Sequence, residues 1–385
     1  MSARTALPVL PIGREYEPVI DQHETWLAVN PVQGCPKDCQ YCYLKNRGQT
    51  LVKPVELATP RRTVDLLRTS SYYHPEAVLA LYTCTDALST PRTRAHLVGL
   101  LDELTAQEVR NPICLITKCA VTQDVIDATL RAKAGGTPVI VYLSYSGLGA
   151  DVERGIDHEA LRATFPLLHS HGIPVIHYWR PLTPANSAPD TITRVLDLAS
   201  RYATCSVAVG LKVKRGARDQ MTDLWPALAD GDLAVEDADA VWPRETWELL
   251  ETLPSRYPDH PIYQMNSCAL AFTLARADSY QVRGTATCET AHCPASQRRR
   301  CADASVQPVT AEDIRSNLAW LGIPTVHSIE WDAEQRTATV EEALHLRDSN
   351  NIGQRLGITV RAQRDANDKY WSGRLEGREP LIVDS

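Results

Sequence analysis

The chain has 385 residues, of which 44% are hydrophobic, and this is enough to fill the core of a large α/β domain with an accessory region. Its formal net charge is −7, so no global positive field favours a nucleic-acid partner. The sequence has no signal-peptide pattern and no run of about eighteen apolar residues, which predicts a cytoplasmic protein without a membrane partner. In that reducing setting the eleven cysteines indicate metal or redox chemistry rather than disulfides.

Residues 1–25 are predicted to be an N-terminal extension, because Pro8, Pro11 and Pro18 argue against regular structure there. Apolar segments that predict buried strands then alternate with helical segments. The predicted strands are 26–29, 78–82, 113–117, 138–143, 174–178 and 206–213. The predicted helices are 60–69, 91–107, 121–134, 158–171 and 191–202. This alternation indicates a parallel sheet, as a barrel or as a doubly wound sheet, with ligands at the carboxyl ends of the strands.

The loop after the first predicted strand carries three cysteines at spacing C-x3-C-x2-C, namely Cys35, Cys39 and Cys42. An odd number of close thiols favours a metal centre over a disulfide. Three thiolates are one fewer than a cubane iron–sulfur cluster normally takes from protein, so one iron would stay open. Zinc is the alternative, although no second C-x2-C pair follows within the next forty residues.

With Tyr41 as its aromatic residue, this loop resembles the C-x3-C-x-aromatic-C signature of the radical SAM superfamily. The resemblance implies a partial (β/α)6 barrel over residues 26–215 and a [4Fe–4S] cluster held by the three cysteines. It also implies that the open iron chelates S-adenosyl-L-methionine (SAM), which one electron cleaves to methionine and a 5'-deoxyadenosyl radical. An electron donor such as ferredoxin or flavodoxin follows from the same resemblance, and Tyr41 would lie against the adenine.

Polar residues follow the later predicted strands: Thr85 and Asp86 after the second, Lys118 after the third, Ser144 at the end of the fourth and Arg180 after the fifth. This set is similar to that of the spore photoproduct lyase-like branch of the superfamily. The resemblance implies that Thr85, Asp86, Lys118 and Ser144 contact the amino-acid and ribose parts of SAM. Arg180 is a further candidate for cofactor binding.

Cys84 is the candidate catalytic residue. It occupies about the place where the lyase carries the cysteine that returns a hydrogen atom to a product radical, although this chain is one residue shorter at that turn. The alternative is that Cys84 is a small buried residue with a packing role only.

Residues 216–385 are predicted to form a C-terminal α+β domain with a helix at 245–253 and another at 269–277. Three cysteines at spacing C-x4-C-x7-C, Cys288, Cys293 and Cys301, lie in a segment without apolar periodicity, which metal bonds could make rigid. They predict a second, auxiliary [4Fe–4S] cluster with Cys268 as its fourth ligand. A structural zinc site is the alternative.

These patterns together predict a radical SAM enzyme that abstracts hydrogen from a small nucleoside-like or natural-product substrate. The spacing of the second cysteine group is similar to the C-x4-C-x5-C of lipoyl synthases, so sulfur insertion from an auxiliary cluster is the first hypothesis. The three arginines 298–300 could hold an anionic substrate beside it. The alternatives are electron transfer or substrate binding in a dehydrogenation or rearrangement, photoproduct-lyase-like repair of nucleic acid, and a non-catalytic iron–sulfur or zinc protein that binds RNA.

Overall fold

The computed structural model describes residues 16–213, 218–229, 239–278, 293–305, 308–323, 328–365 and 381–384. The strands in these ranges are β1 Ile20–Gln22, β2 Leu27–Val29, β3 Val32–Gln33, β4 Asp38–Cys39, β5 Val55–Glu56, β6 Leu79–Leu81, β7 Ile113–Thr117, β8 Val139–Leu143, β9 Glu153–Arg154, β10 Val175–Leu182, β11 Cys205–Val213, β12 Asp239–Pro243, β13 Ile262–Tyr263, β14 Ile329–Asp332, β15 Thr337–Leu344, β16 Thr359–Asp365 and β17 Leu381–Val383.

The α-helices in the same ranges are α1 Pro60–Thr69, α2 Pro91–Ala106, α3 Gln123–Ala134, α4 His158–Ser170, α5 Pro189–Tyr202, α6 Arg218–Thr222, α7 Arg244–Arg256, α8 Asn266–Thr273, α9 Ala295–Ser305, α10 Ala311–Trp320 and α11 Leu346–Leu356. Short 3-10 helices cover Tyr43–Arg47, Pro184–Asn186 and Pro226–Ala229. None of the described helices is long and apolar enough to cross a membrane.

The central sheet has the strand order β1-β2-β6-β7-β8-β10-β11-β12-β17. Its six inner strands, β2, β6, β7, β8, β10 and β11, run parallel to one another. Helices connect them in sequence, as the alternation of apolar and helical segments predicts. The predicted fold class, a partial (β/α)6 barrel, is therefore confirmed.

Local sequence explains where the connecting helices begin. Thr59 caps α1 by accepting a hydrogen bond from the backbone N–H of Arg62, and Pro60 occupies the first turn, where a missing N–H costs nothing. Thr90 and Thr93 form a reciprocal cap before α2 in the same way. These caps determine the residues at which α1 and α2 begin.

The two faces of the sheet bury different side chains because successive residues of a strand point to opposite sides. Leu79 and Leu81 pack into the core beneath the helices, whereas Ala80 between them faces the inside of the partial barrel. Helix α8 covers this inner face. It begins at Asn266 and ends before Ala275, which has a left-handed backbone (φ 52°), so it starts and stops earlier than the predicted helix 269–277.

A buried polar chain runs through the helix-side core. The Nε2–H of His177 donates to the carbonyl of Tyr145 at 2.9 Å, which leaves Nδ1 to accept from the hydroxyl of Ser206 at 2.8 Å. The Oγ of Ser206 then accepts from Nε2 of His260 at 2.7 Å. Burial lowers the pKa of both imidazoles well below 6.5, so both are neutral in the fold at neutral pH.

The C-terminal part of the chain adds strands to the same sheet and also forms a small core of its own. β12 and β13 both hydrogen-bond to β11, and β17 pairs with β12. A separate apolar cluster lies between α10, α11 and the sheet β14-β15-β16. The division of the chain at residue 215 stays a prediction.

The edge of the barrel meets this small unit through side-chain amides. Asn351 of α11 donates to Gln22 of β1 at 2.9 Å and to the carbonyl of Tyr72 at 2.9 Å, and Gln22 donates to Gln354 at 3.1 Å. The expectation of irregular structure throughout residues 1–25 is wrong for β1. This strand forms because it pairs with β2 across the short turn closed by the bond from the N–H of His23 to the carbonyl of Trp26.

Candidate active site

The cysteine loop lies at the carboxyl end of β2 and is held by backbone hydrogen bonds to other segments of the chain. The N–H of Cys35 donates to the carbonyl of Gln49 at 2.8 Å, and Gly34 donates to the carbonyl of Cys84 at 3.1 Å. Farther along, Cys39 in β4 is the antiparallel partner of Glu153 in β9. Gly34 has a φ of 91°, which a residue with a side chain adopts rarely, so the turn into the loop depends on glycine.

The three thiols of the loop fit a cluster by their donor chemistry. Cys35 and Cys39 are buried and Cys42 is half-buried. Burial raises the pKa of both Cys35 and Cys39 to about 12, and the charges of Cys39 and Cys42 also raise the pKa of Cys35. Buried thiols of this kind lose their protons when iron takes the proton's place. As they stand, no group of three or more His, Cys, Asp and Glu side chains in the described residues could hold a single metal ion.

Glu153 joins the cysteine loop to two strand ends. Its side chain is fully buried, and its Oε1 accepts from the Nζ of Lys118 at 2.7 Å, from the hydroxyl of Ser146 at 2.9 Å and from the hydroxyl of Tyr41. The ammonium of Lys118 also lies 5.5 Å from the centre of the Tyr41 ring. Tyr41 and Lys118, both predicted to bind the cofactor, are therefore held together by a carboxylate that the sequence analysis did not identify.

Asp86, which follows β6, accepts hydrogen bonds from the end of the neighbouring strand β7. One carboxylate oxygen accepts from the hydroxyl of Thr117 at 2.9 Å and from the N–H of Leu88 at 3.0 Å, and the other accepts from the N–H of Lys118 at 2.8 Å. Its neighbour Thr85 donates to the carbonyl of Gly34 at the start of the cysteine loop. Asp86 and Thr85 thus fix the position of the loop and of Lys118, and their contact with SAM stays a prediction.

Arg180 lies at the mouth of the barrel beside the cysteine loop. Its guanidinium is 5.0 Å from the centre of the Tyr178 ring and donates to the Tyr178 hydroxyl at 2.9 Å. Within the part of the chain that the structure describes, it forms no ion pair with a carboxylate. Ser144, at the end of β8, is buried, and its carbonyl accepts from the Nζ of Lys118 at 3.1 Å.

Cys84 is buried beneath the cysteine loop. Burial raises the pKa of its thiol to about 12, and the charges of Glu17 and Arg47 act on it as well. Its sulfur lies 4.0 Å from the Thr83 hydroxyl oxygen. Both interpretations of this residue, hydrogen donor and packing residue, stay predictions.

Cys268 and Cys293 of the second cysteine group are buried on the inner face of the barrel. The Sγ of Cys268, in the first turn of α8, donates to Oδ2 of Asp278 at 3.1 Å, and the N–H of Asp278 donates to the Sγ of Cys301 at 3.4 Å. Cys293 is buried in the apolar cluster that also contains Cys268. Cys288 lies outside the described residues, so the predicted four-cysteine set stays a prediction.

Two further contacts distinguish the sulfurs of this group. Nε2 of Gln297 donates to Cys301 at 3.4 Å, which is the second N–H directed at that sulfur, while the sulfur of Cys293 lies 3.9 Å from the hydroxyl oxygen of Tyr263. N–H donors favour the thiolate form that metal binding needs. Of the three arginines, Arg298 and Arg299 are exposed and Arg300 donates to Gln297 at 2.6 Å.

The residues that the sequence analysis missed, Glu153 and Ser146, lie between β8 and α4. The segment carries Gly147, Gly149 and Gly155, which indicate an irregular loop. Because that loop follows a predicted strand, it was expected at the edge where ligands bind. The sequence therefore predicts a location for Glu153 at that edge but assigns it no role.

No protein-family model and no curated protein sequence matches the chain. Similar solved structures include spore photoproduct lyase complexed with dinucleoside spore photoproduct, at 14% identity and a TM-score of 0.48 over 62% of this chain and 76% of that one. They also include SuiB of Streptococcus suis bound to S-adenosylmethionine, at 9% identity and a TM-score of 0.40 over 61% and 48% of the two chains. TsrM of Kitasatospora setae, a radical S-adenosylmethionine methyltransferase, matches at 13% identity and a TM-score of 0.36 over 48% and 36%. The predicted resemblance to spore photoproduct lyase is confirmed, and at these identities it concerns the fold alone.

Proposed function

We propose that this protein is a radical SAM enzyme, which cleaves SAM reductively and uses the 5'-deoxyadenosyl radical to abstract hydrogen from a small substrate. The observation that carries the proposal is the cysteine loop itself. Its Cys35 and Cys39 thiols are buried at the carboxyl end of the first parallel strand, and Cys42 lies beside them. Asp86, Lys118 and Glu153 bind the loop to the neighbouring strand ends.

The chain's own residues supply the rest of such a site. Cys35, Cys39 and Cys42 would hold a [4Fe–4S] cluster, which when bound supplies one electron and an open iron for the amino and carboxylate groups of SAM. The guanidinium of Arg180, which has no carboxylate partner in the described ranges, can neutralise a carboxylate. The Tyr41 ring offers a flat apolar face for the adenine.

The test is formation of 5'-deoxyadenosine from SAM and dithionite by anaerobically reconstituted protein. Cys35→Ala should abolish it, because a methyl group cannot bind iron. Cys114→Ala is the matched control, since Cys114 is a fully buried cysteine of β7 outside both cysteine groups, and it should keep the activity. Cleavage of SAM at the wild-type rate by a variant lacking all three loop cysteines would refute the proposal.

The finer assignment concerns the second cysteine group. The proposed role is that of an auxiliary cluster that donates sulfur to a nucleoside-like substrate radical. Metal binding by this group is supported by the two N–H groups directed at Cys301 and by the burial of Cys268 and Cys293 on the inner face of the barrel. Reconstitution with isotope-labelled sulfide tests this role. Label in the product supports sulfur insertion. Unlabelled product formed over many turnovers would indicate that the auxiliary cluster serves in electron transfer or substrate binding instead.

A further inference from the structure

Glu153 is the residue of the site that neither the sequence motifs nor the resemblance assigns. It is fully buried, although a carboxylate is costly to bury without compensation. Its compensation comes from one cation, Lys118, at 2.7 Å and from the hydroxyls of Tyr41 and Ser146. All these partners use Oε1, while Oε2 has no hydrogen-bond partner among the described residues.

The position of Glu153 relative to the cysteine loop is fixed by backbone pairing. β4 and β9 form a two-residue antiparallel ladder in which Cys39 is opposite Glu153 and Asp38 is opposite Arg154. Residues directly opposite in such a ladder point to the same face, with their Cβ atoms about 4.5–5.5 Å apart. The backbone therefore places the Cβ atoms of Glu153 and Cys39 side by side, and the hydrogen bonds from Lys118 and Ser146 hold the carboxylate in place.

A second constraint on Glu153 comes from the helix that follows it. His158, the first residue of α4, places Nδ1 at 3.6 Å from the unpartnered Oε2, and both of its ring nitrogens are buried without a hydrogen-bond partner within the described ranges. The carboxylate is thus confined between Lys118 on one side and an imidazole on the other.

We propose that Glu153 and Lys118 form a charge pair that sets the reduction potential of the cluster held by the cysteine loop, with Glu153 also positioning Tyr41. The inference rests on the proposed function. Cluster potentials depend on net charge and hydrogen bonding around the sulfurs. A negative charge beside Cys39 opposes the entry of an electron, and the ammonium of Lys118 favours it. Because the two charges lie 2.7 Å apart, each largely cancels the effect of the other.

The experiment is a potentiometric titration of the reconstituted full chain, followed by the electron paramagnetic resonance signal of the reduced cluster. The signal that changes when SAM is added identifies the cluster of the cysteine loop, because that cluster has the open iron. Glu153→Gln keeps the shape and an acceptor for the two hydroxyls and should raise the midpoint potential. Lys118→Met should lower it, and the double variant should return close to the wild-type value.

Glu159→Gln is the matched control, because it makes the same chemical change at an exposed position on α4, and it should leave the potential where it is. Opposite shifts in the two single variants support the inference, since a role in structure alone would move both in the same direction. Shifts of the same sign, or a Glu153→Gln potential equal to that of Glu159→Gln, would overturn it. If Lys118→Met does not retain its cluster, Glu153→Gln and the double variant decide, since neither leaves a buried unpaired carboxylate. A wild type without any SAM-responsive signal would instead refute the proposed function.

Discussion

Acid should destabilise the fold through the buried chain of His260, Ser206 and His177. Burial lowers the pKa of His177 from 6.5 to about 3 and that of His260 from 6.5 to about 4. Above pH 6.5 both imidazoles are neutral in the folded and the unfolded protein, so this stability is fully present there. As the pH falls from 6.5 towards 4, the unfolded chain takes up protons that the folded chain does not, and the free energy of unfolding decreases.

The size of this effect follows from about 1.4 kcal/mol for each unit of pH and each group. Between pH 6.5 and pH 5 each histidine therefore costs about 2 kcal/mol of stability. Solvent screens neither group, because the two side chains are 0% and 4% exposed. Replacing His260 by Gln removes its hydrogen bond to Ser206 at every pH. It should also reduce the loss of stability between pH 7.5 and pH 5 by about 2 kcal/mol relative to wild type.

The assay is urea unfolding followed by tryptophan fluorescence at these two pH values and one ionic strength. Comparison with wild type at each pH removes any effect of acid that variant and wild type share. His169→Gln, at an exposed position of α4, is the matched control and should show the wild-type loss. If His260→Gln lost as much stability in acid as wild type, the buried chain would not be the acid-sensitive element and the reasoning would be wrong.

Three further predictions concern the cysteines and the sheet. Cys84→Ala should still form 5'-deoxyadenosine while the product of the substrate radical changes, and a melting temperature lowered by several degrees with unchanged product would favour the packing role. The double variant Cys293→Ala, Cys301→Ala should contain about four irons per chain where the wild type contains about eight. If wild type and variant both contain about four irons and the variant loses a zinc ion, the second site is a structural zinc site. Gly210→Ala should destabilise the fold by about 1–3 kcal/mol in thermal unfolding, because the added Cβ would lie 2.4 Å from the carbonyl oxygen of Val241. Unchanged stability would contradict the close approach of β11 and β12.

The barrel could be predicted from the sequence because its signals are local. The helix at Pro60–Thr69 and the strand at Ile113–Thr117 match their predicted bounds, since a capping threonine precedes the first and a continuous apolar run forms the second. The strand Asp239–Pro243 was not predicted. It depends on antiparallel pairing with β11, in which Leu211 is opposite Val241, thirty residues away in the chain.

The site residues likewise fall into those that the local sequence predicts and those that depend on contacts between distant segments. Cys35, Asp86 and Lys118 could be predicted to lie at one edge of the sheet, because each follows a strand in sequence. Glu153 could not be assigned, because its role comes from a two-residue ladder with Cys39 that has no periodicity and joins segments more than a hundred residues apart. The start of α8 at Asn266 likewise depends on tertiary contacts, among them the bond from Asn266 to the Tyr178 hydroxyl at 3.2 Å.

The amides between α11 and β1 have a consequence for association of the protein with itself. β1 is the outermost strand at its end of the described sheet, and an outer strand with unpaired backbone groups can pair with another chain. Asn351 and Gln354 lie beside this strand and hold Gln22 and the carbonyl of His23 by hydrogen bonds. Helix α11 therefore covers this edge of the sheet and opposes edge-to-edge aggregation. Because the contact is made by amide side chains rather than by an apolar surface, loss of α11 would expose a hydrated strand that can pair with another chain.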